Sequence, residues 1–139
     1  MGKVIDMQLI RYMNLFNQIT GVKTDSCFFY NNGIFFVVPK PMLARSIGEN
    51  SINLKKLGSI IGKRIRIIGD VGGKNRIKNF VSSMIQPIEV NGIEVTEEEI
   101  IISAPMQSRA MIIGRNKTKL EEMKKIVRDN FNKELRLVE

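Results

Sequence analysis

Two short stretches decide the fold of this 139-residue chain: Ile47-Gly48-Glu49-Asn50-Ser51 and Ile113-Gly114-Arg115-Asn116-Lys117. Each stands between two short helical patterns. A glycine at such a corner lets another backbone approach closely. The helix that follows begins with unpaired N–H groups and a positive dipole end, which suit a phosphate. One such corner is most often an ordinary helix-turn-helix connection, but two equivalent corners in one basic chain favour a binding site.

The sequence around these two stretches repeats weakly. At a shift of 66 residues the two stretches coincide, and Pro39 coincides with Pro105. Beyond the next helix the shift becomes 70, and a lengthening of one helix by just over one turn would explain this change. The repeat predicts two related modules, residues 1–70 and residues 71–139.

Both modules have the same order of predicted elements. In the first, apolar residues spaced 4, 3, 4 and 3 apart predict a helix that begins with Asp6 in its first turn and ends at Gly21. Asn32-Gly33 between two apolar runs predicts a hairpin turn, and two helices and a strand follow. Each module is therefore α-β-β-α-α-β, an α+β fold. The predicted buried face of this first helix consists of Ile5, Leu9, Tyr12, Phe16 and Ile19. In the first helix of the second module, the residues predicted to point inward are Ile77, Phe80, Val81 and Met84.

The positive charge is concentrated in one part of the chain. Lys and Arg number 22 against 14 Asp and Glu, which gives a formal net charge of +8. Residues 40–78 contain 10 basic and 2 acidic residues, so this window accounts for the whole net charge. A localised basic region is the electrostatic footprint of a polyanion binder, and a solvated lysine-rich surface is the alternative.

The composition excludes several classes of activity. The chain has no His and one Cys, which excludes Ser-His and Cys-His nucleophiles, His-ligated zinc and an internal disulfide. The stretch from Gly69 to Asn75 resembles a phosphate-binding loop, but it is one residue short between its glycines and has Asn where Ser or Thr is needed. The acidic triplet Glu97-Glu98-Glu99 is more typical of a solvated turn than of a metal site. We therefore expect no enzymatic activity, no cofactor and no metal.

The chain also lacks the pattern of a membrane or secreted protein. Its longest uncharged run, residues 26–39, has 14 residues and is too short to span a bilayer. No signal peptide is visible. We expect a cytoplasmic protein that makes no contact with membranes.

The glycine corners and the element order together resemble a known family. The order α-β-β-α-α-β with a glycine between paired helices is similar to a type II KH domain. Two such modules in a His-free chain of this length resemble the archaeal NusA-like transcription termination factors, over nearly the whole chain. The resemblance implies two tandem type II KH modules, each with a three-stranded sheet covered by helices. The KH loop is Gly-x-x-Gly, whereas Ser51 and Lys117 stand where its second glycine belongs, and Glu49 is acidic where a basic residue is usual.

The resemblance implies single-stranded RNA binding during transcription, with an effect on termination or elongation. Single-stranded RNA is the implied partner, and RNA polymerase or the transcription complex is a second candidate. We expect the second loop to hold phosphate more strongly, because it carries two cations where the first carries a carboxylate. The implied RNA-binding residues are Gly48, Asn50, Gly114, Arg115, Asn116, Lys117, Arg45, Lys55 and Lys56.

Two other functions fit the same residues. Tandem KH proteins also act as RNA-binding adapters in ribosome maturation. A degenerate KH fold can instead bind protein, in which case the basic strip would face an acidic partner. The loop glycines and the basic window favour RNA, whereas Glu49 and the missing second glycines favour a protein partner.

Overall fold

The computed structural model describes residues 6–24 and 26–139. These residues form a mixed α+β structure with six α-helices and two three-stranded sheets. They divide into two compact units, one that ends at Gly73 and one that runs from Lys74 to Glu139. This division lies three residues beyond the module boundary that the repeat predicts.

Within the described residues, each unit has the element order α-β-β-α-α-β. The first contains α1 (Met7–Thr20), β1 (Ser26–Tyr30), β2 (Gly33–Pro39), α2 (Leu43–Ile47), α3 (Ile52–Ile61) and β3 (Arg64–Asp70). The second contains α4 (Arg76–Ile85), β4 (Gly92–Val95), β5 (Glu99–Ser103), α5 (Met106–Ile113), α6 (Thr118–Phe131) and β6 (Glu134–Val138). Helix α6 has 14 residues and α3 has 10, a difference equal to the change in the repeat shift from 66 to 70.

The two sheets have the same topology. The middle strand pairs antiparallel with the strand before it and parallel with the strand after it, in the orders β1-β2-β3 and β4-β5-β6. A parallel pair needs a connection that returns the chain to the starting edge of the sheet. The helix pairs α2–α3 and α5–α6 make this connection, so each glycine corner lies in the middle of a crossover.

Helix α1 and strand β2 form the centre of the first unit's core. The rings of Phe16 and Phe36 stack with their centroids 4.5 Å apart, and both side chains are fully buried. Burial of one such side chain stabilises a fold by about 1.5–3 kcal/mol. Ile5 lies outside the described residues. The predicted face residues that pack on this core are Tyr12, Phe16 and Ile19, joined by Leu54, Leu57 and Ile61 of α3.

The second unit builds its core from the same elements. Its first helix, α4, buries Phe80, Val81 and Met84, as its periodicity predicts, while Ile77 is half-buried. The rings of Phe80 and Phe131 meet edge to face with centroids 4.9 Å apart. The other buried residues of this unit include Ile85, Ile100, Ile102, Ile112, Met123, Ile126 and Val127.

The caps of α1 follow from local chemistry. Asp6 precedes the helix and does not lie in its first turn, and its Oδ1 accepts hydrogen bonds from the N–H groups of Gln8 at 2.8 Å and Leu9 at 3.4 Å. This is an N-cap interaction. The helix ends at Gly21, which adopts φ +73° as a left-handed cap.

The predicted hairpin turn is wrong by one residue. Asn31 and Asn32 occupy the turn with φ of +52° and +59°, while Gly33 already pairs with Tyr30 in the sheet. Asparagine tolerates left-handed backbone, so the turn does not need the glycine. Gly33 serves a different purpose, because a Cβ there would lie 3.0 Å from the carbonyl oxygen of Arg64 on the neighbouring strand.

Two residues of the acidic triplet, Glu97 and Glu98, form a turn as the sequence predicts, whereas Glu99 is already the first residue of β5. The turn is closed by Thr96 N–H, which donates to the Glu99 carbonyl at 2.8 Å. Lys133 Nζ donates to the Thr96 and Glu97 carbonyls at 2.6 and 2.7 Å, so a cation holds this loop through its backbone.

Within the described residues, no helix is both long and apolar enough to cross a membrane. Cys27 is partly buried against the core of the first unit. Burial, aided by the nearby Asp6 carboxylate, raises the pKa of its thiol to about 12, so the thiol is un-ionised at neutral pH.

Candidate functional site

The two glycine corners have the same backbone conformation. At the glycine, at the asparagine two residues later and at the residue after it, φ and ψ of the two corners differ by no more than 14°. We call residues 48–51 the first turn and residues 114–117 the second turn. The φ values are +82° at Gly48, +56° at Asn50, +59° at Ser51, +75° at Gly114, +57° at Asn116 and +61° at Lys117.

The two turns also share their backbone hydrogen bonds. The glycine N–H donates to the carbonyl four residues earlier at 3.0 Å in both turns, which ends α2 and α5. The carbonyls of Gly48 and Gly114 accept from the N–H three residues later, at 3.1 and 3.2 Å. The tight turn is therefore held by main-chain contacts that do not depend on which side chains it carries.

A polar side chain of the following helix braces each turn by a hydrogen bond to the main chain of the preceding helix. Asn53 Nδ2 donates to the carbonyl of Arg45 at 3.3 Å, and Lys119 Nζ donates to the carbonyl of Met111 at 2.9 Å. Both carbonyls lie three residues before the glycine. Asparagine in the first turn and lysine in the second thus make the same hydrogen bond across equivalent corners.

Both glycines are required by conformation and by space. Gly48 has ψ 162° and Gly114 has ψ 176°, which with their positive φ is a region that is essentially restricted to glycine. A Cβ on Gly48 would lie 2.9 Å from Asn53 Nδ2, and a Cβ on Gly114 would lie 2.8 Å from Lys119 Cδ. The bracing side chain therefore occupies the space that any side chain at the glycine would need.

The turns keep left-handed backbone at their fourth position, where a Gly-x-x-Gly loop would have its second glycine. Ser51 and Lys117 adopt φ near +60°, a conformation that costs an L-residue roughly 1–2 kcal/mol relative to glycine. The backbone of the turn is maintained in spite of the substitution. The departure from the Gly-x-x-Gly pattern therefore changes the side chains of the turn and not its path.

This strain predicts that glycine at the fourth position stabilises the protein. Ser51→Gly and Lys117→Gly should each raise the free energy of unfolding by about 0.5–1 kcal/mol, because relief of left-handed strain exceeds the added flexibility of glycine. Urea unfolding measures the change. Ser59→Gly, inside α3, is the matched control and should lower stability by about 0.5 kcal/mol. A loss in Ser51→Gly equal to that in Ser59→Gly would contradict the strain.

The charged residues predicted around the turns lie in three places. Glu49, Arg115 and Lys117 are exposed on the turns, and none has an ion-pair partner among the described residues. Lys55 and Lys56 are exposed on α3 one turn after the first turn. Arg45 reaches elsewhere, since its Nη2 lies 3.3 Å from the place where a Cβ on Gly21 would stand, at the end of α1.

A cleft of about 780 Å³ continues from the second turn between α5, α6 and β6. Lys117 belongs both to the turn and to the cleft lining, so the two form one continuous surface. The cleft has an apolar wall formed by Met106, Ala110, Ile113, Leu120, Leu135 and Leu137. Its charged lining consists of Arg109, Lys117, Lys124, Arg136, Glu99, Glu121 and Glu134.

Ion pairs neutralise most of the charged residues in this cleft. Arg136 pairs with Glu99 at 3.2 Å, and this hydrogen-bonded pair raises the pKa of the guanidinium. Lys124 pairs with Glu121 at 3.8 Å, and Glu134 pairs with a residue outside the cleft, Arg128, at 3.1 Å. Arg109 and Lys117 are left without an acidic partner among the described residues.

The residues that line this cleft, and its acids above all, were not identifiable from the sequence. The shift of 66 places Lys55 opposite Glu121, and the shift of 70 places Arg64 opposite Glu134. The first unit therefore carries cations where the second carries carboxylates. The second turn itself carries two cationic side chains and the first carries none, whereas the residues around the first turn are more basic than those around the second.

The comparisons with known proteins extend over most of the chain. No protein-family model matches the sequence. A curated protein of Halococcus morrhuae, described as "Probable transcription termination protein NusA", is 19% identical in a 126-residue alignment that covers 88% of this chain and 88% of that protein. A solved structure titled "Crystal structure of APE1850" has a TM-score of 0.69 and 20% identity, and the match covers 97% of this chain and 100% of that one. This structural similarity establishes a shared fold.

Proposed function

We propose that this chain is a tandem type II KH protein that binds single-stranded RNA in a NusA-like role in transcription. The observation that carries the proposal is the glycine turn of the same geometry in the crossover of each sheet. The net charge of +8 and the similarity to a probable transcription termination protein support it. The protein acts by binding and performs no catalysis.

In this proposal the turns hold the RNA backbone. Helices α3 and α6 begin directly after the turns, and neither has a side-chain hydrogen bond that caps its first N–H groups. These N–H groups and the positive end of the helix dipole favour a phosphate. In the second turn Arg115 and Lys117 add charge-assisted hydrogen bonds, which are worth about 1.5–3 kcal/mol each.

In this proposal the apolar wall of the cleft contacts the bases of the RNA. Single-stranded RNA can splay its bases out, which duplexes cannot do without loss of pairing. A base that enters the cleft can cover the exposed Met106, which is 76% accessible, and the flanking aliphatic side chains. The RNA in question would be the transcript, and RNA polymerase or the transcription complex would be a second partner.

Binding measured against salt tests this function. We expect single-stranded RNA to bind more tightly than duplex DNA of the same length, with a log–log salt slope of about −2 to −3 for three or four neutralised phosphates. Fluorescence anisotropy of labelled oligonucleotides from low to moderate ionic strength gives both quantities. Equal binding to both nucleic acids with no salt dependence would favour the protein-interaction alternative.

A further inference from the structure

Arg109 stands in the cleft where the repeat has a leucine in the first unit. The shift of 66 places it opposite Leu43, which packs against the apolar core and has its Cδ2 3.2 Å from the position of a Cβ on Gly69. Arg109 shares the cleft-facing side of α5 with Ala110 and Ile113. A guanidinium has therefore replaced an apolar side chain at an equivalent position.

One donor of this guanidinium is not satisfied by the described residues. Nε of Arg109 is buried and has no hydrogen-bond partner among the described residues. Buried donors are almost always paired, so an unpaired one calls for an explanation such as a ligand. The acids of the same lining are already paired, Glu99 with Arg136, Glu121 with Lys124 and Glu134 with Arg128.

Among the described residues, no hydrogen bond or ion pair holds the Arg109 side chain in its present conformation. The guanidinium could therefore turn further into the cleft without losing a hydrogen bond to any described residue, and the buried Nε–H would gain access to an acceptor. A ligand with two acceptors in one plane would match the planar fork of the guanidinium. The side chain is thus available for a ligand without the loss of an existing contact.

We propose that Arg109 selects guanine in this cleft by donating to the O6 and N7 acceptors of the base. The inference rests on the proposed RNA-binding function. Guanine is the base whose edge presents two acceptors to an arginine fork. The apolar wall around Arg109 suits a flat base better than a hydrated phosphate, and Lys117 at the turn is the unpaired cation placed for the phosphate.

The experiment compares uridine nonamers that carry one central guanosine, adenosine, inosine or 7-deazaguanosine with the unsubstituted nonamer. Because all other positions are uridine, the RNA can bind in the register that places its single purine in the cleft. The full chain should bind the guanosine nonamer about 5- to 150-fold more tightly than the adenosine one. Inosine keeps O6 and N7 and should bind like guanosine, whereas 7-deazaguanosine lacks N7 and should bind more weakly.

Three variants assign the preference to one side chain. Arg109→Leu carries the residue found at the equivalent position of the first unit, and it should bind all five nonamers equally. Arg109→Lys keeps the charge without the fork and should also lose the preference. Lys124→Leu removes a different cation from the same cleft and should keep it. Thermal unfolding of each variant confirms that it is folded.

The outcomes separate this inference from the proposed function. Salt-dependent binding without preference among the nonamers overturns the role of Arg109 and leaves RNA binding intact. A guanine preference that survives in Arg109→Leu, or an Arg109→Lys variant that behaves like the parent, also overturns it. Failure to bind any nonamer overturns both.

Discussion

Exchange of the side chains of the two turns should transfer phosphate affinity from one unit to the other. The double variant Arg115→Glu with Lys117→Ser gives the second turn the residues of the first, and we expect it to weaken single-stranded RNA binding by about 100-fold or more. Two charge-assisted hydrogen bonds at about 1.5–3 kcal/mol each are lost, and a carboxylate is added near a phosphate. The reciprocal variant, Glu49→Arg with Ser51→Lys, should strengthen binding by about 10-fold or more.

These exchanges are structurally mild because the backbones match. Ser51 and Lys117, which are exchanged for each other, have φ and ψ within 13°, and the asparagine before each of them has φ and ψ within 5° of its counterpart. Arg11→Glu with Lys23→Ser makes the same change in net charge at exposed positions outside the turns, and should change affinity by less than about 5-fold. Anisotropy at fixed salt measures all three. If the variant of the second turn binds RNA as well as the control does, that turn is not the phosphate site.

Loss of either turn glycine should be the most damaging small substitution in the site. Gly48→Ala and Gly114→Ala should each lower the free energy of unfolding by about 2–4 kcal/mol. The backbone region is nearly exclusive to glycine and costs other residues about 1–3 kcal/mol, and the new methyl group would press on Asn53 or Lys119. Urea unfolding followed by circular dichroism measures the loss.

Gly62 provides the matched control for this effect. It has φ +78° at the end of α3, but its ψ is 21° and a Cβ there would meet no atom within 4 Å. Gly62→Ala should therefore cost only about 1–2 kcal/mol, the penalty of left-handed backbone alone. If Gly48→Ala costs no more than Gly62→Ala, the close approach to Asn53 is not a constraint on the turn.

Much of the fold was predictable because its signals are local. Apolar periodicity indicates where α3 lies, and the glycines after α1 and α3 indicate where these helices end in left-handed caps. Both signals depend on neighbouring residues only. The hairpin of the first unit was predicted one residue too late. Its position is set by the pairing of Tyr30 with Gly33 and by the nearness of Arg64 on β3, which are contacts between strands.

The candidate site was predictable in its turns and not in its cleft. Gly48 and Gly114 were identifiable because a break between helical patterns is visible in the sequence. The roles of Arg45 and Arg109 were not, because the direction of a side chain depends on what packs beside it. Arg45 turns toward the end of α1, and Arg109 lies in a cleft whose lining comes from β5, α5, α6 and β6.

The sequence by itself determined the element order, the glycine corners and the positive charge, since these reside in spacing and composition. The tertiary structure decided that Ser51 and Lys117 adopt left-handed backbone without glycine, because main-chain hydrogen bonds and the bracing side chains Asn53 and Lys119 hold each turn closed. It also decided which charges remain unpaired. Ion pairing depends on distances of 3 to 4 Å between residues remote in sequence, such as Arg136 and Glu99, and only the folded chain sets those distances.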